Sequence, residues 1–90
     1  MSEINVIGVR LKNMNREAEI RRLNKADRHI VKAETAISRQ RAVLSKLTIG
    51  GHDITDAQKQ LRELEAALIE MHKHRNEIIR TIDQIDTGQI

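Results

Sequence analysis

The 90-residue sequence contains no phenylalanine, tyrosine or tryptophan, no proline and no cysteine. Each absence removes a class of structure. Aromatic side chains are favoured strand formers, and proline marks many turns, so a β-sandwich or an α/β enzyme would normally use both. Without cysteine there is no disulfide, no thiolate metal site and no cysteine nucleophile. The longest apolar runs are only a few residues. Neither a transmembrane helix nor a signal-peptide core is expected, and cytoplasmic is the default placement. A chain this short makes one small domain, and a lone core of that size is marginal.

What remains is mostly helix-forming: Ala, Leu, Ile, Glu, Lys, Arg and Gln. The net charge of +3 is small, but it is unevenly spread. Residues 16–47 carry nine Lys/Arg against four Asp/Glu, and residues 48–90 carry five against eight. Halves of opposite sign suit two segments lying side by side.

From Leu23 the apolar residues keep a seven-residue rhythm. Leu23, Ile30, Ile37 and Leu44 fall at heptad position a, and Ala26, Ala33, Gln40 and Leu47 at d. The second half repeats it, with Leu61, Leu68, Arg75 and Ile82 at a and Ala57, Leu64, Met71, Ile78 and Ile85 at d. Sustained a/d spacing predicts two long helices, over 16–47 and 54–85, each with a narrow apolar seam. Gln40 either fixes the register or sits at a loose, wetted layer. Arg75 can lay its stem on the seam and send its head to water.

Between the seams, residues 48–53 read as a turn. Gly50 or Gly51 can take the left-handed conformation that ends a helix, and Asp53 or Thr55 can cap the next one. Thr55-Asp-Ala-Gln58 has the form of a capping box, with Asp56 near the positive helix end. A phosphate cradle would need a longer Gly-rich loop followed by Lys-Ser/Thr, which is missing. A short connection joins antiparallel neighbours. Folding the chain here pairs core residues whose numbers sum to about 101, such as Ile37 with Leu64 and Leu23 with Ile78. The expected fold is all-α, an antiparallel two-helix coiled-coil hairpin, with residues 16–90 as the hairpin.

Residues 1–15 are an N-terminal arm with three open conformations: a mobile tail, a strand pairing with another chain, or a helical extension. β-Branched residues and Gly8 disfavour helix, yet Ile4, Ile7, Leu11 and Met14 keep heptad spacing. Asn15 can cap the first long helix. The tail after Ile85 is expected to fray.

Chemistry has few candidates. His72 and His74 point to opposite sides of a helix. His29 and His74 both fall at position g and can face each other across the hairpin, but two solvated histidines are the ordinary account. No metal site, cofactor site or catalytic residue is assigned, and an enzyme is not expected, because a narrow seam encloses no substrate. Lys25, Lys32, Arg39 and Lys46 form a basic row at position c of the first helix, beside Arg21 and Arg28. Such a row can track phosphates, yet no aromatic residue is present for base stacking.

The frame His29-Ile30, Ile37-Ser-Arg-Gln40-Arg41, Gly51-His52-Asp53 with Ala57, Leu61 to Glu65 and His74-Arg75 resembles a group of small helical-hairpin proteins of rhizobia and related α-proteobacteria. The likeness spans about residues 28–80, and the Gly-His-Asp turn is its most specific part. It implies a helical hairpin and a bacterial source, and no activity.

The functional expectation is a structural or protein-interaction module that self-associates, because a core this small usually needs oligomerisation to be stable. Its alternative is a small nucleic-acid-associated regulatory protein using the basic face. The expected homodimer is a four-helix bundle built on the g flank, with Ala36, Val43 and Ala67 at its centre. The basic row would face an acidic row at c of the second helix, Asp56, Glu63, Glu70 and Glu77. The competing surface is the opposite flank, with Val31, Ile69 and Ile79. An unidentified protein partner and nucleic acid are further partner classes; a membrane is not.

Overall fold

The computed structural model describes residues 3–89, with side chains from Gly8 to Gln89. Ile4 and Ile7, two of the four heptad-spaced positions of the arm, therefore have side chains outside the described residues. Helix α1 spans Glu3–Ile49 and helix α2 spans Thr55–Asp86. They pack against each other, and there is no strand among the described residues.

The seam predicted from the heptads is the seam that is buried. Ala26, Ile30, Ala33 and Ile37 of α1 and Ala57, Ile78 and Ile85 of α2 form the core. The remaining a and d residues from Leu23 to Ile85 are half-buried. Cross-helix bonds report the register. Arg16 Nε donates to Asp86 at 2.8 Å, Arg75 Nε donates to Asp27, and Gln40 Nε2 donates to Gln60 Oε1 at 3.1 Å. The residue numbers in these pairs total 102, 102 and 100, as the antiparallel register requires.

Two polar seam residues take up specific partners. Gln40 is half-buried and its Nε2 also donates to the Ala57 carbonyl, 3.1 Å away. That bond fixes the level of the α2 N-terminus against α1. Arg75 lays its stem on the seam, and its head ends on the Asp27 carboxylate of α1 rather than in open water.

The helix breaks at residues 50–54 follow from local chemistry. Gly51 has φ +72°. Its N–H donates to the Thr48 carbonyl at 3.2 Å, and the His52 N–H donates to the Leu47 carbonyl at 2.9 Å. This is the Schellman arrangement, with Gly51 as the left-handed residue. Gly50 closes the last turn onto the Lys46 carbonyl and does not have positive φ. Of the two candidate glycines, Gly51 turns the chain. Replacing Gly51 by Ala should cost about 1 kcal/mol, since a left-handed φ strains any residue with a Cβ. Gly50→Ala should stay within about 0.5 kcal/mol. Its Cβ would lie 2.8 Å from His52 Cδ2, the far end of an exposed side chain that can swing aside. Thermal melts of the two single variants separate them; equal losses would mean that the turn does not rest on Gly51.

Helix α2 starts differently from the capping-box expectation. Thr55 is its first residue, and the N-cap, Ile54, makes no side-chain cap. The Thr55 hydroxyl donates to Asp53 Oδ1 at 2.7 Å instead of capping Gln58, whose N–H goes to the Ile54 carbonyl. Because the helix begins one residue earlier than the box requires, Asp53 does the capping from outside. At the other end α2 stops in a formed cap at Gly88, φ +77°, with the Gln89 N–H donating to the Gln84 carbonyl at 2.8 Å.

Of the three conformations open to the arm, the helical extension is present from Glu3 onward. Asn15 lies inside α1 and caps nothing at a helix start. Arg16 is bonded to Asp86, the last residue of α2, so residues 3–14 run past the end of the partner helix. The result is a rod with extents of 74 × 16 × 14 Å and a radius of gyration of 20.6 Å. A compact chain of this length would have a radius of about 12 Å.

Candidate interaction surface

A two-helix rod buries one stripe of each helix, and the consequence is visible side chain by side chain. Among the described residues no side chain falls below 2% exposure. Val31, Val43, Ile69 and Ile79 are exposed on the hairpin, and Val9, Leu11 and Met14 on the arm.

The two charge rows at position c are both on the surface. Lys25, Lys32, Arg39 and Lys46 of α1 are exposed, and so are Asp56, Glu63, Glu70 and Glu77 of α2. Lys73 Nζ meets Glu70 at 3.2 Å on α2's own surface. None of the other seven has an ion-pair partner among the described residues. Position g of the same flank carries Ala36, which is half-buried, with Val43 and Ala67, which are exposed. The structure thus leaves the flank's small apolar strip and its two flanking rows available. On the opposite flank Val31 is 61% and Ile69 56% exposed, against 45% for Val43. That flank offers more apolar area and no matched charge rows.

The turn residues do local work. Asp53 Oδ1 accepts from the Thr55 N–H at 3.0 Å as well as from its hydroxyl. The Thr55 backbone N–H, and after it the hydroxyl, hold the Asp53 carboxyl below the usual carboxylate range. A lowered folded-state value means that ionised Asp53 stabilises the hairpin above the unfolded value, about 3.9. That contribution is lost as the pH falls through the lower folded value. Asp53→Ala should therefore lower the melting temperature by a few degrees at neutral pH, and the gap to the parent chain should close in strong acid. A gap that persists unchanged in acid would show that the carboxylate charge is not the capping group.

Among the histidines, His29 and His74 are brought together: both line one recess between the helices, with Arg22, Lys25 and Ala26. The sequence paired the two histidines but not Arg22, although Arg22 lies one heptad before His29 and so shares its column. Among the described residues there is no group of three or more His, Cys, Asp or Glu that could hold a metal ion. No described helix is long and apolar enough to cross a membrane.

Set against family models, curated proteins and solved structures, the chain matches none of them.

Proposed function

We propose that the chain is a structural module that works by protein–protein association, first of all with a second copy of itself. The observation that carries this reading is the pair of exposed, oppositely charged rows flanking Ala36, Val43 and Ala67, between which no ion pair forms among the described residues. The surface area supports it. The chain exposes 7088 Å², whereas a compact monomer of 10.3 kDa exposes about 5,400 Å². Stable interfaces cover about 800 Å² per partner, so the excess is large enough to supply one.

In the dimer, two hairpins stack by the g flank with the two-fold axis along the rod and both turns at one end. Helix α1 of each copy faces α2 of the other. Lys25 then meets Glu77, Lys32 meets Glu70, Arg39 meets Glu63 and Lys46 meets Asp56 of the second copy. The other two-fold places basic row on basic row, which repels. The acidic row is the better match for the basic row than a phosphate backbone is. It has the same spacing and length, and the chain has no aromatic residue to hold a base. Sedimentation equilibrium at low salt tests the reading. A dimer is expected, and a monomer at every concentration up to about 1 mM would overturn it.

A further inference from the structure

The two halves of the g column differ in chemistry. Near the turn it carries Ala36 and Val43; toward the open end it carries Arg22 and His29, opposite His74 of α2. Arg22, Lys25, His29 and His74 line a single recess of about 310 Å³. We propose that this recess is a binding site for a small phosphate-class oxyanion, such as free pyrophosphate. The site is complete within a single hairpin, and because it lies on the g flank and includes Lys25, anion binding and the proposed dimer compete for the same face.

Four nitrogen-bearing side chains from two helices line it, and among the described residues no carboxylate does. Arg and Lys supply permanent positive charge, and imidazoles add N–H donors whose geometry suits phosphate oxygens. Arg22 Nη1 also meets Glu19 at 3.0 Å. That contact occupies one guanidinium nitrogen; Arg22 has no other side-chain hydrogen bond among the described residues. Glu70 and Glu77 lie on either side of His74 along α2, at the outer c row, and Glu70 is engaged by Lys73. The two imidazoles by themselves would suggest a metal ion. Zinc sites take three or four protein ligands, and the two cations beside this pair repel a metal and attract an anion. The register places the site: Arg22 and His29 are one heptad, about 10 Å, apart along α1, His74 of α2 falls between their levels, and Ala26 leaves room there. Ala26 is buried, so the space is a notch in the seam rather than an open helix face.

The test is an NMR titration of the full chain with sodium pyrophosphate, at constant ionic strength set by sodium chloride. Saturable shifts confined to residues around Arg22–His29 and His74 are expected. His74→Gln and Arg22→Gln should each weaken binding about tenfold, the loss of one charge-assisted hydrogen bond. His72→Gln, on the far side of α2, should leave it unchanged. All three residues are exposed, so thermal melts should show the variants folded. Neither His74 nor Arg22 belongs to the charge rows, and the titration is run at a concentration where sedimentation shows a monomer, so a failure of anion binding is distinguished from a failure of self-association. Three results would overturn the site. One is shifts spread along Lys32, Arg39 and Lys46 and indifferent to His74→Gln. Another is binding of duplex DNA with no pyrophosphate response. The third is tight zinc binding through His29 and His74.

Discussion

Truncating Ile37 to alanine should lower the melting temperature of the hairpin by about 15 °C, the largest loss expected from any single surface-neutral substitution. Ile37 is 4% exposed and sits mid-seam, at the level of Leu64. Removing most of a buried isoleucine costs about 2–5 kcal/mol, and a site that can partly collapse or admit water lies at the low end of that range. In a domain of this size each kcal/mol is worth about 4–8 °C. The loss is severe because so little else holds the fold. The core is a single file of alanines and isoleucines, and a small core supplies only a few kcal/mol of net stability. Val31→Ala is the control. Val31 is one heptad position off the seam and 61% exposed, so its truncation should change stability by less than about 0.5 kcal/mol. Thermal unfolding followed by circular dichroism measures both. Equal losses for Ile37→Ala and Val31→Ala would mean that the a/d file is not what holds the helices together.

The seam was legible in the sequence because burial here follows a repeat. One narrow stripe per helix has to be apolar every three or four residues, and no aromatic or loop-borne residue interrupts it. The turn was legible in place but not in detail. Gly50 and Gly51 have the same backbone freedom, and only the hydrogen bonds of Gly51 and His52 back to Thr48 and Leu47 decide which glycine becomes left-handed. The capping box failed for a related reason. Thr55 and Gln58 carry the right side chains, but Asp53 lies close enough to accept both Thr55 protons, and a short Asx-type contact competes with the box. Gln40 illustrates what a heptad cannot report. Its place in the third core layer from the turn was clear, whereas its bond to the Ala57 carbonyl depends on where α2 starts. The arm was the hardest segment, since Gly8 and its β-branched residues weaken a helix. A helix already nucleated by a long packed segment adds each further residue without a new nucleation cost, so α1 continues to Glu3. As for the candidate surface, the charge rows could be read from spacing alone. The recess was legible only in part: spacing paired His29 with His74, but not Arg22, which joins them from one heptad away.

Reversing Lys32 and Arg39 to Glu should weaken self-association about a hundredfold while leaving the hairpin folded. Both side chains are exposed and have no ion-pair partner among the described residues, so their replacement removes nothing from the seam. In the proposed dimer each position occurs twice by symmetry, and four attractive pairs become four repulsive ones. A single exposed pair is worth only about 0.2–1 kcal/mol. The swing over four pairs is then about 3 kcal/mol, and 1.4 kcal/mol is a factor of ten in the dissociation constant. Adding Glu63→Lys and Glu70→Lys should restore attraction with the signs exchanged. Glu63 should provide the larger share of the rescue, because Glu70 is already engaged by Lys73 on its own helix. High salt should weaken the parent dimer and the rescued one alike, and should relieve the repulsion in the reversed chain. Sedimentation equilibrium of the three chains at low and high salt gives all of these outcomes. A dimer that ignores both the reversal and the rescue would place the contact on the other flank. There Val31 and Ile69 face solvent at one level of the rod, and Ile69→Lys should then dissociate it.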